Sequence, residues 1–136
     1  MNDVVLSKIS NIKNCLKRIK DTTKLLPESL DNNFDIQDIF VLNLQRAIQA
    51  TFDITNSIIK KYNLELPVNY KSGFEILEKH NFIDANIKER MIKMAGFRNI
   101  AIHQYETINV EILKSILKNN LQDFENFYTQ ILENDK

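Results

Sequence analysis

The sequence predicts an all-α fold, an up-and-down bundle of four main helices with one short additional helix before the third of them. The chain has 136 residues but only two glycines and two prolines, which is typical of long helices and unlike a turn-rich β fold. Apolar residues recur at spacings of three and four along most of the chain, and strict alternation never extends beyond a few residues. This length can bury one continuous core, so we expect a single domain over residues 1–136.

The first two helices are predicted from long apolar seams. The first should run from about Asn2 to Thr23 and the second from about Phe34 to Tyr62, with a connection around Pro27 between them. The opposite side of the second helix carries a row of polar residues at helical spacing, which we expect to face solvent. This row consists of Asp38, Gln45, Gln49, Asp53, Asn56 and Lys60, and the sequence leaves any further role of its members open.

A short helix follows the second one. Leu66-Pro67 is predicted to break the second helix, because proline has no backbone N–H to donate and restricts the residue before it. Ser72 has the character of an N-cap for a short helix from Gly73 to about Lys79. His80 at the end of that helix suits a surface or capping role.

Two more helices complete the predicted bundle. Asp84 is expected to cap the fourth helix, whose second half is apolar nearly all round and should be the most buried element. Asn109 should begin a fifth helix that continues to about Leu132 along another seam of threes and fours.

Composition narrows the class of protein. Hydrophobic residues make up 43% of the chain and charged residues 26%, which is ordinary for a soluble globular protein. The single cysteine, Cys15, suits a reducing cytoplasm and is expected to be a buried apolar group. The sequence has neither a long apolar run nor a secretion signal, so we expect a cytoplasmic protein without a membrane span. Lysines and an arginine dominate residues 1–24, a charge pattern that suits either a solvated face or attraction of a polyanion.

One stretch of the predicted fourth helix concentrates the chemically capable side chains. Between Met94 and Tyr105 the chain holds one of its two histidines, one of its four arginines and one of its four tyrosines. Arg98 falls within an apolar stripe, where an unpaired guanidinium would be costly, so it must have a partner. The other members of the stripe are Ile87, Met91, Met94, Ala95, Ile102 and Tyr105. Asn99 and His103 are one helical turn apart and therefore neighbours.

The residue types in this stretch suit metal-free cleavage of RNA. Imidazole can accept or donate a proton near neutral pH, and a guanidinium can hold the negative charge of a phosphorane-like transition state. Asn99 can orient the ring of His103 or a phosphate oxygen, and Tyr105 can stack on a base, donate a hydrogen bond or carry a modification. No carboxylate lies within the stretch, and CxxC, HExxH and Gly-rich phosphate motifs are absent, so we expect neither a metal ion nor a cofactor.

Two interpretations of the stretch stay open on residue chemistry alone. On an ideal helix Arg98 and His103 are about 140° apart, so they do not point the same way. A buried structural network of these two side chains accounts for that separation. A catalytic site requires the reach of the arginine, or a symmetric dimer that pairs two copies of the fourth helix.

The segment Gly96-Phe97-Arg98-Asn99-Ile100-Ala101-Ile102-His103-Gln104-Tyr105 resembles the signature of HepT-like toxins, a branch of the HEPN superfamily. That signature is an arginine, usually followed by asparagine, then a histidine after four intervening residues and a tyrosine two positions later. All four marked positions match. The likeness spans roughly residues 35–110 and includes Leu44-Gln45, Asp53-Ile54, Tyr70 and the segment Phe74-Glu75-Ile76-Leu77. Ser57 stands where many members have a histidine.

The resemblance implies a ribonuclease toxin with a HEPN-like fold that works as a homodimer, with its cleft between paired motif helices. Arg98 and His103 would be catalytic and Asn99 supporting. A minimal nucleotidyltransferase antitoxin would neutralise the toxin by transferring AMP to Tyr105, within a homodimer or a larger hetero-oligomer. An adenylyl group there would add negative charge beside Arg98 and occupy the position that a substrate phosphate needs.

A non-catalytic function stays open as the alternative. In that interpretation the chain is a helical binding module that forms a complex with a nucleotidyltransferase and is modified by it. A nucleotide-binding helper domain is a third hypothesis, which binding of free nucleotide without RNA turnover would favour. RNA cleavage that depends on His103 separates the enzyme from both.

Overall fold

The computed structural model describes residues 3–103 and 109–136, and it describes side chains for residues 3–98 and 109–136. These residues form α-helices and one short 3-10 helix, with no strand among them, which confirms the predicted all-α class. The helices are α1 (Asp3–Thr23), α2 (Phe34–Lys61), α3 (Tyr70–Lys79), α4 (Ala85–His103), α5 (Val110–Asn119) and α6 (Gln122–Asn134). The 3-10 helix, Pro27–Leu30, lies in the connection predicted around Pro27. The predicted first residue of α1, Asn2, lies outside the described residues.

Helix α2 is the central element, because it contacts α1, α3 and α4. Its apolar seam includes the fully buried Leu44, Ile48, Ile54 and Ile58, and each such side chain contributes about 1.5–3 kcal/mol when it leaves water. Helix α1 runs antiparallel to it, since Lys8 near the start of α1 forms a 3.1 Å ion pair with a residue in the second half of α2, Asp53. The α1–α2 pair therefore forms the base on which α3 and α4 pack.

Helix α2 ends within one residue of the predicted Tyr62, but the feature that ends it differs from the prediction. The helix stops at Lys61, before Leu66-Pro67, because Asn63 adopts a left-handed backbone with φ of 57°. Asparagine tolerates that conformation better than most residues, and the reversed chain lets the Leu64 N–H donate to the Ile59 carbonyl at 2.9 Å. Pro67 therefore lies in the connection and does not end the helix.

Helix α3 starts earlier than predicted. Its N-cap is Asn69 and not Ser72, since the Asn69 Oδ1 accepts a 2.8 Å hydrogen bond from the Ser72 N–H. Ser72 is the third helical residue, and its Oγ accepts a hydrogen bond from the Asn69 N–H at 3.1 Å. This reciprocal arrangement is a capping box, and it places Tyr70 at the first helical position.

Helix α4 begins as predicted, with Asp84 as its cap. The Asp84 Oδ1 accepts from the Ile87 N–H at 2.8 Å, and Gln130 of α6 forms two 2.8 Å hydrogen bonds to Asp84, one to its backbone N–H and one to its carboxylate. Further along the same pair of helices, Arg90 reaches the nearly fully buried Asp123 at 3.3 Å. These two contacts hold α4 and α6 antiparallel.

The prediction of a single fifth helix is wrong, because the structure has two helices there, α5 and α6, separated at Asn120 and Leu121. The Asn120 backbone N–H caps α5 by donating to the Ile116 carbonyl at 2.9 Å. Its side-chain amide then donates to Asp123 in the first turn of α6 at 3.2 Å. The apolar seam continues across the break, so periodicity alone did not show it. No helix in the described part of the chain is long and apolar enough to cross a membrane.

Candidate active site

Helix α4 positions Arg98 through the apolar stripe that precedes it. Ile87, Met91, Met94 and Ala95 are all buried, so this face of the helix is fixed against the core as predicted. Arg98 continues the stripe and is half-buried. Its place on a helix anchored over about two and a half turns means that the guanidinium is held by packing and not by a loop.

The partner expected for Arg98 is an aromatic ring on α2. The guanidinium carbon lies 5.5 Å from the centroid of Phe52, a distance at which a cation is attracted to the negative face of a ring. Phe52 is itself fixed by two further rings, Tyr70 at 5.8 Å and Phe74 at 6.1 Å between centroids. A cation–π contact leaves N–H donors of the guanidinium able to bind a phosphate, because the ring does not accept them as a carboxylate would.

Sequence reasoning missed Phe52. A signal for it was present, since on a helix Phe52 falls between Gln49 and Asn56, two members of the polar row. An aromatic ring among polar side chains is a common mark of a binding surface. Apolar patterning treats Phe52 as one more hydrophobic residue, and only the structure shows that it faces Arg98.

The backbone of α4 extends through both Asn99 and His103. The side chains of these two residues and all of Tyr105 lie outside the described residues, as does the Ile102 part of the stripe. The predicted neighbour relation of Asn99 and His103, and the roles assigned to them, therefore stay predictions. The other histidine, His80, caps the end of α3 and lies 2.8 Å from Glu65, consistent with the surface role expected of it.

The polar row of α2 faces solvent only in part. Asp38, Gln49, Asn56 and Lys60 are exposed, whereas Gln45 and Asp53 are half-buried. Asp53 accepts from Gln49 at 3.1 Å in addition to its ion pair with Lys8. The row therefore joins α2 to the basic first helix through Asp53.

A groove of about 350 Å³ runs between α1 and α2 beside this junction. Arg18 and Arg46 line it from the two helices, and Cys15 lies beneath them, 7% exposed. Burial raises the pKa of the Cys15 thiol, although the positive charges of Arg46 and Arg18 pull it down. The thiol is therefore mostly protonated at neutral pH, in agreement with the expected apolar role. Within the described part of the chain, no group of three or more histidine, cysteine or acidic residues is placed to hold a metal ion.

A helical bundle whose α4 carries Arg98 and His103, with Tyr105 two positions later in the sequence, has the features of the HEPN class of ribonucleases. The family model described as Ribonuclease HepT-like matches residues 12–131. The chain belongs to this family, which confirms the predicted resemblance and the assignment as a ribonuclease.

Relatives of the chain agree with this membership. The mRNA nuclease HepT of Shewanella oneidensis is 36% identical over 127 residues, which cover 93% of this chain and 95% of the relative. A solved structure of the tri-AMPylated Shewanella oneidensis HEPN toxin in complex with its MNT antitoxin has a TM-score of 0.92 and 35% identity, and the match covers 98% of this chain and 99% of the other. A toxin–antitoxin crystal structure with AMP-PNP is similar, with a TM-score of 0.91, 34% identity and coverage of 97% and 99%.

Proposed function

We propose that this chain is a metal-independent endoribonuclease toxin, silenced by a minimal nucleotidyltransferase antitoxin that adenylylates Tyr105. The observation that carries the proposal is the position of Arg98, half-buried at the end of a buried stripe and held 5.5 Å from Phe52. Family membership supplies the reaction class, and the relative solved with its antitoxin supports the partner. We also propose that the protein works in the cytoplasm, where an mRNA substrate is present.

The proposed reaction is an intramolecular transesterification at phosphorus. The ribose 2′-oxygen attacks the adjacent phosphorus while His103 accepts its proton, and the bond from phosphorus to the 5′-oxygen breaks. A proton returns to the leaving 5′-oxygen, so the products are a 2′,3′-cyclic phosphate and a 5′-hydroxyl. Arg98 binds the non-bridging oxygens as their negative charge grows, and Asn99 orients the imidazole or one oxygen. Loss of one such donor typically lowers the rate about 10²- to 10³-fold.

A homodimer is part of the proposal. On an ideal helix Arg98 and His103 are about 140° apart, which is a poor fit to a single phosphate, and a second copy of α4 across a two-fold axis can complete the site. We therefore expect a concentration-independent dimer in light scattering. A chain that stays monomeric while it cleaves RNA at full rate would contradict this part.

The proposed switch is transfer of AMP to Tyr105. The phenolic oxygen attacks the α-phosphorus of ATP, pyrophosphate leaves, and the phenolic proton passes to solvent or to a base of the antitoxin. Each adenylyl group adds a phosphodiester charge and a base next to the motif arginine, where they compete with RNA. The tri-AMPylated state of the Shewanella oneidensis toxin supports an acceptor in this family.

RNA cleavage by the purified protein in the presence of a chelator tests the nuclease proposal. Wild type should cleave, whereas His103→Ala and Arg98→Ala should lose activity by at least about 10²-fold with unchanged circular dichroism and melting temperature. Equal activity of wild type and His103→Ala would overturn the proposal and leave a helical binding module.

Intact mass after incubation with the antitoxin and ATP tests the switch. Wild type should gain AMP units and lose RNase activity together, and Tyr105→Phe should gain none. A mass gain that persists unchanged in Tyr105→Phe would remove Tyr105 as the acceptor.

A further inference from the structure

A cleft of about 450 Å³ opens on α2 next to the Arg98 contact. Gln49, Phe52 and Asn56 form its α2 wall, and the connection into α3 forms the other wall. Its volume is within the range of small-molecule and nucleotide sites, about 300–1,000 Å³. It shares Phe52 with the Arg98 contact and is not explained by the roles assigned to Arg98, Asn99, His103 and Tyr105.

The second wall is held rigidly by two features of α3. The capping box of Asn69 and Ser72 fixes the start of the helix, and with it the position of the half-buried Tyr70. Gly73 then lets α3 approach α2, since a Cβ at this position would lie 3.2 Å from the Thr55 methyl. The cleft is thus shaped before any ligand arrives, which lowers the entropic cost of binding.

Aromatic rings give the cleft its chemistry. Phe52 and Tyr70 are stacked, with centroids 5.8 Å apart and planes 17° from parallel. Pro67 and the exposed Val68 extend the apolar rim, while Gln49, Asn56 and Asn69 present side-chain amides at its edge. Flat apolar surfaces bordered by amide donors and acceptors are what unstacked nucleobases bind, by stacking on their faces and hydrogen bonding at their edges.

Phe52 connects this cleft to the candidate site for phosphate. The same ring that lines the cleft lies 5.5 Å from the guanidinium of Arg98. In a nucleotide the base and the phosphate lie at opposite ends of one ribose. A strand whose phosphate is bound by Arg98 therefore has a neighbouring base within reach of the cleft.

We propose that the cleft between Phe52, Tyr70 and Asn56 binds one nucleobase of the RNA substrate, adjacent to the cleaved phosphate. This inference rests on the proposed nuclease function and adds a substrate subsite to it. Tyr70 supplies a stacking surface, and the amide of Asn56 reads the edge of the base. Stacking on one ring typically changes affinity about tenfold to a hundredfold, and it accepts every base. Selectivity among bases therefore depends on Asn56 and its neighbouring amides.

The experiment uses the full-length protein and synthetic RNAs with one cleavable linkage. All other riboses carry 2′-O-methyl groups, so the position of cleavage fixes the register of the strand. In each RNA of the set, one nucleotide near the linkage is abasic. The specificity constant kcat/KM is measured for wild type, Tyr70→Ala and Tyr70→Phe. Phe34→Ala, which removes a 76% exposed ring elsewhere on α2, is the matched control.

The proposal predicts that cleavage depends on the base at one position of the RNA. There, loss of the base should lower kcat/KM about tenfold to a hundredfold for wild type, Tyr70→Phe and Phe34→Ala. Tyr70→Ala should show the same loss with the intact RNA and no further loss with the abasic one. If every abasic position affects wild type and Tyr70→Ala equally, the cleft does not bind a base.

Two further measurements distinguish failure of the base subsite from failure of the nuclease and from a role of the cleft in adenylylation. Wild type is first tested on unmodified RNA, so a failed subsite is distinguishable from a failed nuclease, which would cleave neither substrate. Adenylylation of Tyr70→Ala by the antitoxin is then compared with wild type. A tenfold slower modification with unchanged RNA kinetics would assign the cleft to the adenine of the transferred AMP and overturn the RNA assignment.

Discussion

The guanidinium carbon of Arg98 lies 5.5 Å from the centroid of the Phe52 ring, and this contact joins α4 to α2 at the candidate active site. A carboxylate in the place of Phe52 would neutralise the arginine and compete with a phosphate for its N–H groups. A ring attracts the cation but leaves those groups free for an anion. The contact therefore orients Arg98 while preserving its positive charge, as the proposed phosphate-binding role requires.

Replacement of Phe52 by leucine should lower RNA cleavage through Arg98. The lost cation–π contact is worth about 0.5–2 kcal/mol, which corresponds to a decrease in kcat/KM of about 2- to 30-fold. Phe52→Leu should have a smaller effect in an Arg98→Ala background than in wild type, since the cation is then missing and only the change in the cleft wall remains. The measurement is a double-mutant cycle on initial cleavage rates.

Phe74→Leu is the control for that cycle. Phe74 contacts Phe52 but is fully buried, so its replacement should lower the melting temperature and leave kcat/KM nearly unchanged at a temperature where the fold is intact. If Phe52→Leu and Phe74→Leu reduce cleavage equally, the ring acts through the core and not through Arg98.

The ion pair of Arg90 and Asp123 should stabilise the α4–α6 packing. Asp123 is 2% exposed and accepts from Arg90 at 3.3 Å and from Asn120 at 3.2 Å. Arg90→Ala would leave this carboxylate with one fewer donor in a buried position. Because the Arg90 side chain is itself 46% exposed, we expect a loss of about 1–2 kcal/mol in the free energy of unfolding, below the range for fully buried pairs.

Urea denaturation of four variants measures the coupling. Arg90→Ala should lower the free energy of unfolding clearly less in an Asp123→Asn background than in wild type. Lys93→Ala, an exposed change one turn further along α4, should shift stability by less than about 0.5 kcal/mol. Equal costs of Arg90→Ala in the two backgrounds would show that the pair contributes nothing specific.

The cap of α4 should make stability depend on pH. Hydrogen bonds from the Ile87 N–H and then from Gln130 lower the pKa of Asp84 below its ordinary 3.8, against a smaller opposing effect of burial. A group with a lowered folded pKa contributes stability above its unfolded pKa and loses it as pH falls through the folded pKa. Asp84→Asn, which does not titrate, should therefore be about 1 kcal/mol less stable than wild type near pH 6.

That difference should shrink as pH falls below about 4, where Asp84 becomes protonated. Unfolding free energies of wild type and Asp84→Asn at several pH values between neutral and acid conditions test this, with Asp35→Asn as a control at the exposed start of α2. A difference that stays constant with pH would mean that the cap acts only as a hydrogen-bond acceptor and not through its charge.

The parts of the fold that periodicity decides were predictable from the sequence. The seam of α2, the Asp84 cap and the stripe from Ile87 to Ala95 are local patterns, and the structure has them where they were expected. The break at Asn120 was not predictable in this way, because both halves continue one seam and only the contact of Asn120 with Asp123 shows where the chain turns. Likewise Asn69, two residues beyond Pro67, did not stand out as a cap.

The residues of the candidate site differ in the same way: some could be predicted from local pattern, and others depend on tertiary contacts. Arg98 could be singled out because a charge within an apolar stripe conflicts with its surroundings, whatever the fold. The place of Phe52 among polar residues was visible in the sequence, but its contact with Arg98, 46 positions away, depends on how α2 packs against α4. Residues that act through tertiary contacts give no periodic signal, which is why Tyr70 and Phe52 form a cleft that the sequence did not predict.

The Cys15 thiol should react slowly in the folded protein, because burial raises its pKa and restricts access. We expect labelling by a disulfide reagent at neutral pH to be at least about tenfold slower than in denaturant, where the thiol is exposed. Arg46 lowers this pKa, so Arg46→Gln, which keeps most of the bulk over the thiol, should raise the pKa further and slow labelling again. Labelling that becomes faster in Arg46→Gln at every pH would show that the arginine controls access to Cys15 and not its ionisation.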